Sequence, residues 1–573
     1  MRAAALALAL GVVATPAGAQ APVPQPLAPV VRADADRDRI ADDLEQRLAP
    51  QDGDERVDVI VTLADPASRD RVGRIERGVG NFALRDRFRA VEGFAARVTE
   101  RQVAALAKRP GVVSVERDAP VRALNDSAQA AFGVAEARLD NPRLDGDRDG
   151  RPASYSRRDM VAAVIDTGID ARHRDLNEGK VIAFADCSSG PCRVRRPYDD
   201  NGHGTHVAGT LAGEGDARAD RRLRGVAPGA GLVGVKVLGA GGYGSESRVI
   251  AGIDWTIANR ARYGLEAANI SLASGGCSNG TDAMSQAANR AVAAGLVVTA
   301  AAGNSGPRRC TIESPAAASG VIAVGTMADF GAGGFFAHPS SARGRPGGTI
   351  KPDVMAPGER IVSARRGTST GYATRSGTSQ AAPFVAGVAL LMRDAAPSLP
   401  AGGVSRRIKR SAVDWGIGGA SSTLTSRGPD LDFGWGRLDA YAALRSAGAA
   451  GLTSAPLVSD HRLIESRLDR TTTVREFPLD VANRCMPLAA GLVIPGWTSY
   501  SSGDDFDLYL TDPDGRQVDA SQTSKRQESI SVVPARTGRY TLRVESYAGE
   551  GPFFVDVSAG LAAPPVSAPA SCR

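Results

Sequence analysis

The stretch from about residue 126 to residue 447 alternates continuous apolar runs with longer segments whose apolar residues recur at helical spacing. Continuous apolar runs are typical of parallel strands buried on both faces, and here they read MVAAVID, GLVGVKVL, AANISLA, GLVVTAAAG and VIAVGT. The pattern predicts an α/β domain over residues 124–448, with a parallel twisted sheet covered by helices on both faces. Active sites of such sheets lie at the carboxyl ends of the strands.

Three segments of this domain place reactive side chains at strand ends or helix starts. VAAVIDTGID puts Asp166 at the end of a buried strand, NGHGTHVAGT puts His203 at the opening of a helix, and SGTSQAAPFVAG puts Ser379 at a helix N-terminus. A hydroxyl becomes nucleophilic when an imidazole takes its proton, and a carboxylate can orient that imidazole. The backbone N–H groups of the first helical turn can help to hold an oxyanion. The sequence therefore predicts a catalytic triad.

These segments, in the chain order Asp, His, Ser, resemble the three signatures of the subtilisin-like serine peptidases (subtilases). The resemblance implies an endopeptidase that hydrolyses polypeptides through an acyl-enzyme on Ser379 and needs no cofactor for catalysis. AAAGNSG resembles the family's oxyanion segment and nominates Asn304, whose amide would donate to the tetrahedral intermediate. A catalytically dead binding protein on this scaffold is one alternative, and the intact triad and donor argue against it. Serine-carboxyl chemistry is another, but it would need Glu and Asp on one helix in place of His203.

The same resemblance implies where an extended substrate would bind as an added strand. The matching segments are LGAGGYG, residues 238–244, and SLASGG, residues 271–276, and the walls of the specificity pocket would be residues 271–273 and 300–302. The predicted substrate-binding residues are Ser271, Leu272, Ala273, Ser274, Gly275, Gly241, Gly242 and Glu313.

Glu313 aligns with the floor of that pocket, which is small or neutral in most of the family. A carboxylate there would favour Lys or Arg in the substrate through charge pairing in a semi-enclosed site. The alternative is that Glu313 faces solvent and has no influence on specificity.

Residues 53–123 alternate strand and helix patterns, with one helix expected from about Ser68 to Phe88. The pattern predicts a small α+β unit with two helices on one sheet face. The phrase VEGFAARVTERQVAALAKRPGVVSVERDAPV resembles the inhibitor-type (I9) propeptide that precedes subtilisin-like peptidases. The resemblance implies that this segment chaperones folding, occupies the cleft and is removed by autoprocessing near residues 120–135.

The tail, residues 455–573, lacks helical periodicity and consists of short alternating runs separated by Asp-Gly and Thr-Gly turns. This pattern predicts an antiparallel β-sandwich. It resembles the pre-peptidase C-terminal domain that is appended to many secreted bacterial peptidases.

The first 19 residues carry one basic residue, an apolar run and Ala17-Gly18-Ala19, which predicts a signal peptide cleaved after Ala19. A buried N-terminal helix is the alternative. Residues 20–52 form a predicted linker that contains an acidic segment. No later apolar run is long enough to span a bilayer, so we expect a secreted product, extracellular or periplasmic, without a membrane partner.

The net charge of +6 is mild and the Arg residues are scattered, which predicts no nucleic-acid partner. We expect the protein to be a monomer.

Six cysteines in an exported chain predict disulfides rather than zinc ligands, because no C-x-x-C spacing occurs. Pairing within each proposed domain gives Cys187 with Cys192, Cys277 with Cys310, and Cys485 with Cys572.

Structural calcium is implied by the resemblance, with its ligands unassigned. Three acidic segments are candidates. In the first, Asp34, Asp36, Asp38 and Glu45 fit positions 1, 3, 5 and 12 of a calcium loop, but Arg39 stands where the loop needs Gly, and an acidic helix start is the alternative. The second, with Asp145, Asp147, Asp149 and Gly150, keeps the Gly but lacks the distal Glu. The third, with Asp504, Asp505 and Asp507, could instead be solvated turn residues.

Overall fold

The computed structural model describes residues 38–40, 44, 48, 56–65, 67–87, 92–117, 124–151, 154–329, 334–345, 347, 349–415, 428–453, 460–484, 486–494, 504–524 and 527–561. The chain divides into two compact units, Met1–Pro120 and Val121–Arg573, and each is described by itself. The predicted signal peptide, most of the predicted linker, Cys485 and Cys572 lie outside the described residues. No described helix has both the length and the apolar character needed to cross a membrane.

The first unit is an antiparallel four-stranded sheet with two helices. The strands are β1 (Arg56–Leu63), β2 (Ala83–Arg87), β3 (Gly93–Thr99) and β4 (Val112–Arg117), in the order β2-β3-β1-β4, and the helices are α1 (Arg69–Val79) and α2 (Glu100–Ala107). Both helices contribute to one apolar core with the sheet, which Leu44 and Leu48 join. Ser68 caps α1, and Thr99 and Gln102 form a capping box on α2.

The predicted helix from Ser68 to Phe88 is too long. Gly80, with φ 91°, ends α1, and Ala83–Arg87 pairs with β3 as an edge strand. The backbone of this short segment therefore pairs with β3 and does not extend the helix beyond Gly80.

The second unit contains the predicted parallel sheet. Its strands are β5 (Val161–Asp166), β6 (Val181–Asp186), β7 (Arg193–Val194), β8 (Gly231–Lys236), β9 (Leu265–Ile270), β10 (Val297–Ala301), β11 (Ile322–Met327) and β12 (Val354–Pro357). The order is β12-β11-β10-β9-β5-β8-β6-β7, and every pairing is parallel except that of the short edge strand β7 with β6. Asp166 thus ends a strand at the middle of the sheet.

Helices cover both faces of this sheet. They are α3 (Leu124–Ala131), α4 (Val134–Asp140), α5 (His203–Ala212), α6 (Glu246–Ala258), α7 (Arg260–Tyr263), α8 (Ala283–Ala293), α9 (Thr378–Ala395), α10 (Ala401–Ser411) and α11 (Ala440–Ala447). Alternate residues of β5 enter two different cores: Ala162 and Val164 pack with α5 and α9, whereas Ala163 and Ile165 pack with α6 and α8. The two cores confirm the predicted α/β class.

The tail is a sandwich of two four-stranded antiparallel sheets, as predicted. The strands are β15 (Asp460–Leu468), β16 (Val474–Val481), β17 (Leu488–Val493), β18 (Asp505–Thr511), β19 (Gln517–Ser521), β20 (Gln527–Val532), β21 (Gly538–Ala548) and β22 (Gly551–Ala559). One sheet has the order β15-β22-β17-β20 and the other β16-β21-β18-β19. Leu488 and Val555 of the first sheet and Leu508 and Leu542 of the second share one core.

The sandwich also packs on the α/β domain. The indole of Trp415 stacks on the ring of His461 with centroids 3.8 Å apart, and Phe433 meets Phe554 edge to face. Gln527 donates its amide to Ala337 O at 2.6 Å. These apolar and polar contacts join the two domains in one compact unit.

Two of the three expected disulfides lie among the described residues. Cys187 is bonded to Cys192 and Cys277 to Cys310, as predicted. A separate two-stranded antiparallel ribbon is formed by β13 (Ile361–Ala364) and β14 (Tyr372–Arg375) just before α9.

Candidate active site

Asp166 and the first turn of α5 approach each other closely because two glycines leave room. Gly168 has φ 120°, and a Cβ on it would lie 2.1 Å from Tyr198 O. A Cβ on Gly204 would lie 2.2 Å from Gly168 O and 3.1 Å from the Asp166 carboxylate. Side chains at either glycine would force the helix away from the strand end.

The Asp166 carboxylate binds the His203 ring. His203 Nδ1 lies 2.8 Å from Asp166 Oδ1, which also accepts from Thr167 N at 2.7 Å. Asp166 is completely buried, whereas the His203 side chain is 21% exposed. Burial lowers the pKa of His203, but the negative charge of Asp166 and the hydrogen bond to it have the larger combined effect, so this pKa lies above its ordinary value of 6.5. The arrangement fixes one ring nitrogen and leaves Nε2 for proton transfer.

Asp199 holds the start of α5 in place. Its carboxylate accepts from Thr167 Oγ1 at 3.0 Å, from Gly202 N at 2.8 Å and from Thr205 Oγ1 at 2.6 Å. It therefore ties the residue after Asp166 to the helix that carries His203. Asp199 is not among the site residues predicted from the sequence, although an acidic residue just before a helix start is a signal for this kind of anchoring.

Ser379 is the second residue of α9 and lies beside the end of β9. Its Oγ donates to Ser271 O at 3.1 Å, and Ser271 Oγ donates to Ser379 O at 2.8 Å. Since Ile165 of β5 is paired with Ile270 of β9, Ser271 follows the strand next to the one that Asp166 ends. Adjacent strands are about 4.8 Å apart, so the three predicted triad residues lie at the carboxyl ends of two neighbouring strands. Within the described residues, Ser379 Oγ bonds to Ser271 O and not to His203.

Asn304 follows β10 and contacts the residue before Ser379. Its Oδ1 accepts from Thr378 N at 3.0 Å and from Thr378 Oγ1 at 3.1 Å. A Cβ on Gly377 would lie 3.4 Å from Asn304 Nδ2, so the amide group is close to the first turn of α9. Asn304 is exposed. With its oxygen fixed by Thr378, the amide can present Nδ2 to a bound group.

The two predicted substrate-binding segments are accessible. Ser271 is buried and Leu272 half-buried, whereas Ala273, Ser274 and Gly275 are exposed. On the other segment Gly241 is exposed and Gly242 half-buried.

Glu313 lies under the 271–276 segment. It is only 6% exposed, and its Oε2 accepts from Gly275 N at 2.9 Å while Oε1 accepts from Ser305 Oγ at 3.0 Å. No described Lys, Arg or His forms an ion pair with it. The structure thus places a buried carboxylate, bonded to neutral donors, between the predicted substrate edge and the oxyanion segment, and the alternative of a solvent-facing Glu313 is wrong.

Two other histidines near the site make structural contacts. His206 Nε2 lies 3.1 Å from both Ile361 O and Ala373 O, and burial, followed by the positive charge of Arg375, lowers the pKa of His206 to about 3. His173 Nε2 lies 2.8 Å from Gly371 O. Both rings are tied to the backbone around the β13–β14 ribbon.

Of the acidic segments considered for calcium, only the second forms a cluster among the described residues. Its Asp147 and Asp149 meet Asp159, a residue that the sequence analysis did not include. In the first segment, Asp34, Asp36 and Glu45 lie outside the described residues, and Arg39 has φ 77°, in the region that the loop template assigns to Gly. The tail residues Asp504, Asp505 and Asp507 form no such cluster within the described part of the tail.

Comparison with known proteins identifies the families that the two units resemble. The model of the Subtilase family matches residues 157–436, and that of Peptidase inhibitor I9 matches residues 64–124. The chain is 34% identical to Serine protease AprX of Bacillus subtilis, with 58% of this chain and 76% of the relative covered. It is 36% identical to Subtilisin DY of Bacillus licheniformis, with 50% of this chain and 92% of the relative covered.

Among solved structures, the S41 Psychrophilic Protease matches with 30% identity and a TM-score of 0.42, over 49% of this chain and 90% of that one. The match to the inhibitor model confirms the predicted propeptide type. From the family match and the named relatives, the chain belongs to the subtilase family and is a serine-type endopeptidase with an I9 propeptide.

Proposed function

We propose that this chain is the precursor of a secreted endopeptidase in which Ser379 is the nucleophile, His203 the general base and Asp166 the residue that orients His203. The observation that carries the proposal is the 2.8 Å contact of His203 Nδ1 with the buried Asp166, next to the strand end at which Ser379 is held. The experiment that tests it is the Ser379→Ala precursor, which should remain uncut and lose peptidase activity.

The reaction follows from this arrangement. Ser379 Oγ leaves Ser271 O, gives its proton to His203 Nε2 and attacks the carbonyl carbon of the substrate. Asp166 stabilises the resulting imidazolium, which then protonates the leaving amine as the C–N bond breaks. Water enters and attacks the ester carbonyl carbon as His203 takes its proton, and His203 then returns that proton to Ser379 Oγ as the ester C–O bond breaks. The negative oxygen formed in each half is held by the N–H of Ser379 and by Asn304 Nδ2.

Asn304 is proposed to act only on the charged intermediate. Replacing it by Ala is expected to lower kcat about 100- to 1000-fold with KM little changed, because the lost hydrogen bond forms in the transition state. Asn304→Asp is the matched variant: it keeps the acceptor oxygen for Thr378 but removes the donor. Steady-state kinetics on a chromogenic peptide measure both. Full activity of Asn304→Asp would contradict the assigned role.

The raised pKa of His203 predicts the acid limb of the pH profile. A general base must be neutral, so kcat/KM falls as the pH drops through the pKa of His203, and the midpoint should lie above 6.5. Since Asp166 is buried, added salt should move this midpoint little. The measurement is kcat/KM from about pH 4 to about pH 9, a range that brackets the ordinary pKa of histidine. It is made at two ionic strengths. A midpoint below 6.5 would contradict the proposed effect of Asp166 on the pKa of His203.

Glu313 is proposed to select a basic residue at the cleaved bond. The carboxylate is buried and has only neutral hydrogen-bond donors, Gly275 N and Ser305 Oγ. Its charge can be neutralised by a substrate Lys or Arg that enters between the pocket walls, residues 271–273 and 300–302. An apolar side chain would leave the buried charge without a counterion, so the difference in binding favours the cation.

Maturation is proposed to cut the chain between Arg117 and Leu124. Strand β4 ends at Arg117, whereas Ala128, Ala131 and Phe132 are already buried in the core of the second unit. A cut within those buried residues would remove apolar contacts from the enzyme. N-terminal sequencing and the intact mass of the mature protein should place its first residue between 118 and 124. A mature terminus after Phe132 would contradict this.

The domain organisation is proposed as predicted from the sequence. It comprises the signal peptide to Ala19, the linker 20–52, the propeptide 53–123, the peptidase 124–448 and a pre-peptidase C-terminal-like sandwich 455–573. The contacts of Trp415 with His461 and of Phe433 with Phe554 support retention of the sandwich by the mature enzyme. The propeptide acts as chaperone and inhibitor, polypeptides are the substrates, and the enzyme is monomeric and extracellular or periplasmic. Mass spectrometry of the exported product tests these assignments together.

A further inference from the structure

Three carboxylates converge where the loop after α4 meets the start of β5. One oxygen from each of Asp147, Asp149 and Asp159 lies within 4.8 Å of the other two. Asp147 and Asp149 are half-buried in the loop, whereas Asp159, two residues before β5, is 2% exposed. Like charges held this closely repel one another unless a cation or protons join them.

Asp159 has an oxygen that the protein itself does not satisfy. Its Oδ2 accepts from Ser156 N at 2.6 Å, but Oδ1 is buried and has no hydrogen-bond partner among the described residues. None of the three carboxylates has an ion-pair partner in the described part of the chain. An unsatisfied buried carboxylate oxygen is costly, and Asp147 and Asp149 bring two further carboxylates close to this one.

The loop fits the calcium-loop template at positions 3, 5 and 6, whereas Asp145, at position 1, lies outside the cluster. Asp147 and Asp149 stand at positions 3 and 5, counted from Asp145, and Gly150, with φ 69°, makes the turn at position 6. Arg151 N donates to Asp147 Oδ1 at 3.2 Å and to Asp149 Oδ1 at 3.0 Å, which orients both carboxylates. Position 12, where the template has Glu, is Ser156. Asp159 supplies the missing distal carboxylate from three residues further on.

We propose that Asp147, Asp149 and Asp159 bind one Ca²⁺ ion. All three donors are hard carboxylate oxygens, which suit Ca²⁺ and not the softer zinc or copper ions. Ca²⁺ takes six to eight oxygens in a flexible geometry, so backbone carbonyls and water can complete its shell. The ion would cross-link the loop to the residues that lead into β5, the strand that ends at Asp166. Binding of the ion should therefore raise the stability of the domain.

The test uses the full-length chain with Ser379→Ala, so that self-cleavage does not interfere. The protein is stripped with a chelator, and Ca²⁺ is then titrated by calorimetry while the thermal unfolding midpoint is recorded. Asp149→Asn and Asp159→Asn are each expected to bind one Ca²⁺ ion fewer than the parent. At a 100-fold excess over Kd they should also lose about 3–4 °C of the Ca²⁺-induced rise in Tm. Asp254→Asn is the control, because Asp254 is exposed on α6, away from the cluster.

The sign of the effect without calcium separates binding from a structural role. In the chelated protein Asp159→Asn should leave Tm unchanged or raise it, because it removes one of three mutually repelling charges; with Ca²⁺ it should lower Tm relative to the parent. If Asp159→Asn does not fold, Asp149→Asn, at a half-buried loop position, gives the same reading. Unchanged stoichiometry and Tm shift in the variants would overturn the proposal. An equal shift with Mg²⁺ in place of Ca²⁺ would overturn its assignment to calcium.

Discussion

The Ser379→Ala precursor is expected to accumulate uncut and to hydrolyse a chromogenic peptide on the order of 10⁶-fold more slowly than the wild-type enzyme. The hydroxyl is the atom that forms the acyl-enzyme, so binding and the oxyanion donors are all that remain for catalysis. The same loss should block self-processing, and the mass of the purified chain reports it directly. Measurement of both effects on one preparation ties peptidase activity and maturation to one atom.

Ser376→Ala is the matched control for this change. Ser376 is an exposed residue three positions earlier, and its hydroxyl accepts from Arg360 N at 2.9 Å. It should mature normally and keep activity within a few-fold of wild type, since exposed substitutions of this kind are usually small in effect. A Ser379→Ala chain that matures by itself, with wild-type turnover, would remove Ser379 from the mechanism.

The second large effect is expected at Glu313. Wild-type enzyme should cleave a peptide with Arg before the scissile bond in preference to its Phe counterpart. Glu313→Gln, which is nearly isosteric, should lower the Arg-to-Phe ratio of kcat/KM by about 30- to 4000-fold. This range corresponds to the loss of one partner from a buried charge pair. The change should appear with the Arg substrate, while activity on the Phe substrate is kept or increased.

Glu313→Ala is a second test of the same role, because this substitution removes the charge and opens space in the pocket. It should abolish the Arg preference and favour larger apolar residues. Glu266→Gln is a control: this carboxylate binds Arg393, outside the pocket, and its replacement should not change the Arg-to-Phe ratio. A wild-type preference for Phe that survives Glu313→Ala would contradict the proposed role.

The residues of the proposed triad could be selected from the sequence because each stands at an element boundary that local patterns reveal. An apolar run ends at Asp166, and a helical pattern begins at His203 and near Ser379. In a parallel sheet the carboxyl ends of the strands lie on one side, so these local boundaries predict that the three residues lie close together. The two described disulfides were predicted on different grounds, because each closes within one proposed domain of an exported chain.

Other parts of the site depend on contacts that local patterns do not encode. Asp199 is important through its bonds to Thr167 and Thr205, which lie on both sides of it in the chain. The resting partner of Ser379, Ser271 O, is 108 residues away. The interpretation of Glu313 as a pocket residue depends on its burial, and the sequence around Cys310 does not predict that burial. Asp159 joins Asp147 and Asp149 only when the chain returns to begin β5.

The end of α1 shows a similar limit within the first unit. The segment from Ser68 to Phe88 has a helical pattern, but Ala83–Arg87 gains more as the edge of a sheet. Its partner, β3, comes later in the chain. Competition between a local helix and a non-local strand is decided by such pairings.

The central claim is that His203, oriented by Asp166, activates Ser379. The most direct test is the rate at which a fluorophosphonate labels the mature enzyme as a function of pH, with the labelled residue identified by peptide mass spectrometry. The account predicts a single adduct on Ser379, formed at a rate that falls at low pH with a midpoint above 6.5. An adduct on another residue, or labelling of Ser379 at a rate independent of pH, would contradict it.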